Sequence, residues 1–316
     1  MLIKIVKQPV FNSFSLIADR LNAEFNKLKD VYSISIDFTH KSLGKSDFTI
    51  LIQAFDVLLN YKIDKERDGT IVCMDISDTD MVGEKVADVL NKNCDVIITP
   101  SNWSQFGLVR GGVTAPIYVV PNPISLVKPV QHERNVGIYL SMNSEQFHRK
   151  GSDIALDVIS KLDLPWIVKQ YSPFVEVKFS KPVKQVGLIE NIEDYLKQIS
   201  AFVMLSRGGA FEMPAWEAYC SGAIPIVTSH PIFSELPAVF IKSRYTYIFM
   251  PPHLAPLHVG GGYEPDINDA IDKIKYVWSN PDKFSYLFKR REQLCEHMSP
   301  ANVAKTMLQT LTSYSP

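Results

Sequence analysis

Short apolar runs alternate along the chain with segments of helical spacing. Between the runs, apolar residues recur every three or four positions, as at Ile267, Ile271 and Ile274. Most of the runs are continuously apolar, which is typical of strands buried on both faces. The alternation predicts an α/β fold with doubly wound parallel sheets. The predicted strands are 2–6, 71–75, 95–99, 117–121, 136–141, 166–170, 202–206, 224–228 and 246–250.

A proline-rich stretch near residue 128 divides this pattern into two parts. Pro121, Pro123 and Pro129 lie close together, and proline neither donates to a strand ladder nor favours helix, so the stretch is predicted to be a linker. We therefore predict an N-terminal domain over 1–128 and a second domain over 129–298. Two helical patterns, 282–297 and 301–313, close the chain, and residues 299–316 are assigned to a separate C-terminal helix.

Composition and charge favour a globular protein without a nucleic-acid partner. Hydrophobic residues make up 46% of the 316 residues and charged residues 21%, enough apolar content to build two cores. The 33 Lys and Arg nearly balance the 34 Asp and Glu, so no overall field attracts nucleic acid. A local basic face could still contact phosphate or anionic lipid, which leaves peripheral membrane contact open.

The cysteines and the apolar runs bear on location. Cys73, Cys94, Cys220 and Cys295 are far apart and show no CxxC spacing, so we expect neither a zinc site nor a disulfide framework. No run approaches the roughly 18 apolar residues that span a bilayer. These observations predict a cytoplasmic protein.

The segment 202–227 combines a strand, a glycine-rich loop, a short helix and a second strand. Gly208 and Gly209 permit a tight turn, Pro214 suits the start of a helix, and Gly222 stands where a helix would end. In parallel sheets ligands bind at the carboxyl ends of strands, and loop amides at a helix start favour anions. Glu217, expected in the first turn of this helix, could reach the same place.

The run SRGGAFEMPAWEAYCSGAIPIV in this segment resembles the donor-site signature of glycosyltransferase family 4, approximately S-R-x-E-G-F-G-[LM]-P-x-L-E-A-M-A-C-G-x-P-V-V. The resemblance implies that Glu217 binds the donor ribose. The sequence departs from the signature at Gly209, where the family has a glutamate that faces the transferred sugar. Glu212, three positions later, is a candidate replacement for that glutamate. The implied donor-binding residues are Ser206, Arg207, Gly208, Gly209, Ala210, Phe211, Glu212 and Met213.

A second polar segment follows the run at 136–141. Arg149, Lys150 and Gly151 precede a helix for which Ser152 is a plausible N-cap. Cations at a helix start oppose its dipole, and an anion between them would resolve the conflict. The segment resembles the same family's phosphate-binding element. By that resemblance Lys150 neutralises the donor diphosphate, and Arg149 is a candidate for the family's arginine, whose usual position holds Glu145 here.

The resemblance implies a retaining, metal-independent glycosyltransferase of the GT-B fold. This fold has two Rossmann-like domains facing a central cleft, with a C-terminal helix that crosses back to the N-terminal domain. Lys150, Arg149 and Glu217 would be catalytic, the donor would be a nucleoside diphosphate sugar, and no cofactor is expected. The acceptor is left open between a glycan, a lipid, a protein and a small molecule.

Two alternatives compete with this interpretation. Gly209 in place of the family's glutamate favours a non-catalytic module that binds nucleotide sugars or acts as a scaffold. Asp78 and Asp80 could instead hold a divalent metal with its nucleotide, although two acidic residues one apart are also common in loops before a helix. His148 and His230 lie beside the proposed cleft, where one could touch phosphate or sugar, but we expect them to be ordinary packed or surface residues. The run from Arg244 is predicted to be a buried strand rather than a stacking platform. Residues 260–263 are predicted to be an ordinary loop rather than a gate over the cleft.

Overall fold

The computed structural model divides the chain into two compact units. Unit 1 comprises Met1–Ser125 and Glu296–Pro316, and unit 2 comprises Leu126–Cys295. The sequence analysis places its boundaries at 128 and 298. The residues that the structure describes are 1–8, 13–32, 35–39, 44–125, 127–143, 146–170, 174–187, 192–248, 250 and 254–314.

Unit 1 is built on a parallel sheet with the strand order β2-β1-β3-β4-β5-β6. Its strands are β1 (Leu2–Val6), β2 (Ser35–Thr39), β3 (Phe48–Ile52), β4 (Thr70–Met74), β5 (Val96–Thr99) and β6 (Ile117–Val119). Its first helices are α1 (Ser13–Tyr32), α2 (Ala54–Leu58), α3 (Lys65–Asp68), α4 (Glu84–Asn93) and α5 (Asn102–Arg110). The central strands are apolar and β-branched, and their side chains are buried on both faces.

Unit 2 repeats the plan with the strand order β12-β11-β10-β7-β8-β9, again all parallel. Its sheet strands are β7 (Val136–Leu140), β8 (Trp166–Gln170), β9 (Lys184–Val186), β10 (Ala201–Met204), β11 (Ile224–Thr228) and β12 (Val239–Ile241). β13 (Ser243–Tyr247) and β14 (Gly261–Pro265) form a separate antiparallel hairpin. Its helices are α6 (Ser152–Lys161), α7 (Ile192–Leu196), α8 (Met213–Ser221) and α9 (Ile267–Ser279).

The end of the chain returns to unit 1. A 3₁₀ segment (Pro281–Arg290) leads into α10 (Arg291–His297) and then α11 (Pro300–Ser313). Ser299 caps α11 by accepting a hydrogen bond from the Asn302 amide at 3.2 Å. The apolar side of α11 is buried and packs against α1, which confirms the expected return of the last helix to the N-terminal domain.

The predicted parallel sheets are confirmed, but several elements differ from the sequence analysis. It missed β2, β3, β9, β12 and β14, and it placed a strand at 246–250 where β13 covers Ser243–Tyr247. Residues 261–263, expected in a loop, belong to β14. The expected N-cap of α6 is also wrong. Gly151, in the left-handed region with φ 67°, holds that position, while the Ser152 hydroxyl donates to the Ser141 carbonyl at 2.9 Å.

The expectation of no disulfides is wrong as well. Cys73 pairs with Cys94 in unit 1, and Cys220 pairs with Cys295 in unit 2. The partners are 21 and 75 positions apart, so only the folded sheets bring them together. Within the described part of the chain, no helix is both long and apolar enough to cross a membrane. The cytoplasmic location stays a prediction.

Candidate functional site

The loop after β10 and the segment before α6 meet at the carboxyl edge of the unit 2 sheet. β7 and β10 are neighbouring parallel strands, so the segments that follow them emerge at the same edge. The Arg149 carbonyl accepts hydrogen bonds from the amides of Arg207 at 2.8 Å and Gly208 at 3.3 Å. A Cβ at Gly151 would lie 1.9 Å from the Leu205 carbonyl oxygen, so glycine is required for this close approach.

An ion pair between Lys150 and Glu212 joins the two segments. Lys150 Nζ lies 2.5 Å from Glu212 Oε1, and the Glu212 side chain is only 3% exposed. A Cβ at Gly209 would lie 2.4 Å from Glu212 Oε1 and 3.4 Å from Lys150 Nζ. Gly209 therefore leaves the space that the Glu212 carboxylate occupies. That Glu212 substitutes for the glutamate which the family has at position 209 stays a prediction.

Arg207 is a positioning residue rather than a group available to a ligand. Its guanidinium donates to both Asp153 oxygens at 2.7 Å, to the His148 carbonyl at 2.5 Å and to both Glu264 oxygens. These bonds use all five N–H donors of the guanidinium. Burial alone would lower the pKa of Arg207, but the hydrogen bonds to the two carboxylates raise it overall. The guanidinium of Arg207 thus holds the loop, and the donor-binding role of the loop stays a prediction.

The other predicted cation, Arg149, is buried behind the same loop. Its Nη1 donates to the Gly208 carbonyl at 3.4 Å, and its own carbonyl engages the amides of Arg207 and Gly208. These two amides are thus bonded within the protein. Of the loop amides at 207–210 that were predicted to contact phosphate or sugar, those of Arg207 and Gly208 therefore already donate to the Arg149 carbonyl.

Glu217 lies on α8 with its side chain buried. It is the fifth residue of that helix and belongs to the second turn, not the first as expected. The charge of Glu217 acts on Lys169 of β8. Burial lowers the pKa of Lys169, and the negative charge of Glu217 opposes that lowering. Lys169 Nζ also lies 5.4 Å from the centre of the Tyr195 ring. A charged residue in the apolar strand Trp166–Gln170 was the sequence feature that could have revealed Lys169.

His230, which follows β11, is a buried neighbour of the ion pair. Burial lowers the pKa of His230 to about 3, the Arg207 carbonyl opposes this, and the charge of Lys150 adds to the lowering. The ring is therefore neutral at pH 7. Its Nδ1 accepts a hydrogen bond from the Ile232 amide at 3.0 Å, so Nε2 carries the proton. From the sequence, His230 is placed beside the proposed cleft but is not assigned a catalytic role.

Two buried hydroxyls mark the same edge. Ser206 follows β10 and Thr228 ends β11, and both side chains are fully buried. Among the described residues, neither hydroxyl has a hydrogen-bond partner. A buried polar group left unsatisfied costs about 1–3 kcal/mol, so such groups are suited to bond a ligand.

The remaining predicted residues shape the start of α8. Ala210 is buried, and the Phe211 ring stacks on Trp216 with centroids 6.4 Å apart. α8 begins at Met213, with Pro214 in its first turn, and ends at Gly222 with φ 101°. The glycine end and the proline start are confirmed. The structure thus gathers Lys150, Arg149 and the loop 206–213 at one edge, while Glu145 lies outside the described residues.

The carboxyl edge of the unit 1 sheet carries a different set of groups. Asp75 follows β4 and accepts hydrogen bonds from the amides of Phe55 at 2.6 Å and Ile76 at 2.8 Å. Burial is the main cause that raises the pKa of Asp75 to about 7; the two amides oppose the rise, and the charges of Asp56 and Asp78 add to it. Nearby, Gln53 has a φ of 59°, in the left-handed region that is strained for a non-glycine residue.

The alternative of a metal ion with its nucleotide at Asp78 and Asp80 stays a prediction. Asp80 is buried and forms an ion pair with Arg110. Within the ranges that the structure describes, no group of three or more His, Cys, Asp or Glu residues is placed to hold a metal ion.

No family model matches the chain. A protein of the Sulfolobus islandicus filamentous virus (isolate Iceland/Hveragerdi) named "Putative glycosyltransferase 45" is 27% identical over a 340-residue alignment, which covers 96% of this chain and 92% of that protein. The structure of Anabaena HepE in complex with UDP-glucose matches with a TM-score of 0.70 and 12% identity over 99% of each chain. The lipopolysaccharide outer core galactosyltransferase WaaB in its apo form matches with a TM-score of 0.60 and 14% identity over 100% of each chain.

The structural matches extend through both units, and their identities are too low to carry more than the architecture. Two parallel six-stranded sheets in the described residues, with helices between the strands and a last helix returned to α1, agree with that architecture. The chain therefore has the GT-B glycosyltransferase fold.

Proposed function

We propose that the protein transfers a glycosyl group from a nucleoside diphosphate sugar to an acceptor, with retention of configuration and without a metal ion. The viral relative named as a glycosyltransferase and the complex of HepE with UDP-glucose support the donor class. The acceptor, which could be a glycan, a lipid, a protein or a small molecule, is left open.

The observation that carries this proposal is the contact between the Lys150 segment and the loop 206–213. A leaving nucleoside diphosphate gains negative charge, and fixed cations directed at it lower the barrier. Lys150 is held at the carboxyl edge of the sheet, where ligands of parallel α/β sheets bind. One of its partners is the Glu212 carboxylate, which a diphosphate can replace.

The other residues take supporting roles in this proposal. Arg149 fixes the loop through its carbonyl and adds positive charge behind it. Glu217 accepts hydrogen bonds from the ribose hydroxyls. The hydroxyls of Ser206 and Thr228 are available to donor oxygens.

The non-catalytic alternative rests on the glycine at position 209. The Glu212 carboxylate occupies the space beside Gly209 and contacts Lys150, so a carboxylate is present at this point of the site. This arrangement supports the enzyme over the binding module.

The test is the substitution Lys150→Met, which keeps the apolar stem and removes the charge. We expect turnover of the sugar nucleotide to fall about a hundredfold, because the charge on the leaving group then lacks its cation. The donor is first selected from a panel of sugar nucleotides by thermal shift, and its turnover is then followed as release of the nucleoside diphosphate, with excess chelator present.

Lys161→Met is the matched control. Lys161 is the last residue of α6, the helix that follows Lys150; it is half exposed and pairs with Asp157 at 2.7 Å, so its variant should keep wild-type turnover. Lys150→Arg, which retains the charge, separates a loss of charge from a loss of folding. Wild-type turnover in Lys150→Met, or a loss of turnover on adding chelator, would contradict the proposal.

A further inference from the structure

The hairpin β13–β14 has two faces of different character. Side chains alternate between the faces of a strand, so Arg244, Thr246 and their partners Glu264 and Gly262 share one face. On this face Gly262 and Glu264 of β14 contact the site loop, whereas Arg244 of β13 is exposed. A Cβ at Gly262 would lie 2.0 Å from the Arg207 carbonyl oxygen, and Glu264 pairs with the Arg207 guanidinium.

A backbone hydrogen bond fixes the hairpin to the same loop. The Tyr263 amide donates to the Arg207 carbonyl at 2.8 Å. The hairpin is thus anchored through a backbone bond and an ion pair to the arginine that also binds Asp153. Its position relative to the loop 206–213 is set by the protein and not by a ligand.

The opposite face of the hairpin carries three tyrosines. Tyr245 and Tyr247 are 48% and 78% exposed, and their rings lie 6.4 Å apart between centroids. The Tyr263 ring lies 5.9 Å from Tyr245 and 5.0 Å from His230. The sequence analysis expected a buried strand here, and this expectation is wrong for β13.

Gly261 determines how Tyr245 lies on this face. A Cβ at Gly261 would approach the Cζ and hydroxyl oxygen of Tyr245 to 2.6 Å. The glycine therefore allows the Tyr245 ring to lie directly over the backbone of β14. A solvated face of an antiparallel sheet is ordinarily polar, so exposed aromatic rings held in this way point to a binding role.

We infer that this tyrosine face, formed by Tyr245, Tyr247 and Tyr263, binds the sugar rings of a glycan chain. A pyranose ring has an apolar C–H face and a rim of hydroxyls, and tyrosine offers an apolar ring face with a hydroxyl at its end. The rigid hairpin is continuous with the loop to which the proposed function assigns the donor. The choice of a carbohydrate ligand rests on that proposed function. The tyrosine face would hold a glycan acceptor or product that extends from the site.

The flanking residues favour a glycan over a protein partner. Lys242 and Arg244, next to the tyrosines in the chain, are exposed and charged. A stable protein interface requires about 800 Å² from each partner, with an apolar centre. Two exposed tyrosine rings beside charged residues are a smaller surface, of the size of a few sugar rings.

Affinity electrophoresis through gels that contain amylose, dextran, mannan, galactan or chitosan tests the inference. We expect at least one of these polysaccharides to retard the wild-type protein. The double substitution Tyr245→Ala with Tyr247→Ala should weaken that binding at least about tenfold, because each lost stacking contact contributes to affinity. Gly261→Ala should also weaken it, because the added methyl group would lie 2.4 Å from the Thr246 carbonyl oxygen of β13 and 2.6 Å from the Tyr245 ring, so that both must shift.

Tyr286→Ala is the matched control, since Tyr286 is 55% exposed in the same unit but lies in the 3₁₀ segment away from the hairpin. It should bind as the wild type does. The thermal shift of each variant with UDP is measured in parallel. A missing shift with retained glycan binding counts against the proposed function alone.

Three results would overturn the inference. The first is that none of the polysaccharides retards the wild type. The second is that the double variant is retarded as much as the wild type, and the third is that the double variant loses UDP binding. The last would show that the tyrosines stack on the nucleotide and not on a glycan.

Discussion

The carboxyl edges of the two parallel sheets carry different ionisable groups, although the sheets share one plan. In unit 2 the edge gathers Lys150, Arg149 and Arg207, and each cation is held by a carboxylate or a carbonyl. In unit 1 the corresponding edge buries Asp75, with Asp56 and Asp78 close enough to raise its pKa. One edge is suited to an anion, and the other holds a carboxyl group close to its neutral form at pH 7.

The difference comes from loop residues, not from the strands. Both sheets are lined by buried apolar strands, and the charged groups follow the strand ends in each unit. A parallel α/β sheet therefore supplies the position of a site but not its chemistry. The contrast can be tested by changing the charged groups of each edge separately.

The largest expected effect is at the edge of unit 2, in the exchange of carboxylates between positions 209 and 212. Gly209→Glu places a second carboxylate against Glu212 beside Lys150, and we expect turnover to fall about a hundredfold, equivalent to about 3 kcal/mol. In Gly209→Glu with Glu212→Ala, one carboxylate remains for the lysine, and most of the activity should return. The measurement is steady-state turnover of the sugar nucleotide in the single and double variants.

Glu212→Ala alone completes this cycle and should also lower turnover. Restored activity in the double variant requires a coupling between the two positions, which separate structural defects would not produce. Losses that simply add in the double variant would show that Glu212 is not the replacement for the carboxylate at 209.

The second effect is at the edge of unit 1 and depends on pH. The pKa of Asp75 is about 7 in the folded protein, against 3.8 for an ordinary aspartate. Between these values the folded protein keeps a proton that the unfolded chain has released, so stability falls as the pH rises, by about 1.4 kcal/mol per pH unit. Asp75→Asn does not titrate. From pH 5 to pH 6.5, the wild type should therefore lose about 2 kcal/mol relative to this variant.

Urea unfolding of both proteins across this pH range measures the difference. Asp88→Asn, at an exposed position of α4, is the control and should follow the wild type. If the free energies of unfolding of wild type and Asp75→Asn run parallel with pH, burial does not raise the pKa of Asp75.

Local patterns in the sequence predicted much of the fold but less of the site. Continuous apolar runs predicted most of the central strands, and the glycines and proline around α8 predicted the strand, loop and helix at 201–221. The strands β2 and β3 were missed, although β3 is itself a short, mainly apolar run. The hairpin was misjudged since tyrosines at alternate positions suit a buried strand as well as an exposed one.

The site depends on contacts between residues far apart in the chain. The sequence analysis named Lys150 and Glu212 separately but had no means to pair them across 62 positions. The use of all five donors of Arg207, and the approach of Glu217 to Lys169, likewise arise from tertiary packing. Spacing in the sequence predicts which loop carries a residue, whereas the partner of that residue is set by the fold.

The smallest expected effect compares the disulfides of the two units. The cysteines are 21 positions apart in unit 1 and 75 apart in unit 2. In the chain-entropy model, a longer closed loop restricts the unfolded chain more, and this difference in length is worth about 1 kcal/mol. Replacing Cys220 and Cys295 by alanine should therefore cost about 1 kcal/mol more than replacing Cys73 and Cys94. Urea unfolding of the two double variants measures this, and since both pairs are buried, the loss of packing is similar in each. A larger cost for the unit 1 pair would show that local packing around β4, next to Asp75, outweighs the entropy of the loop.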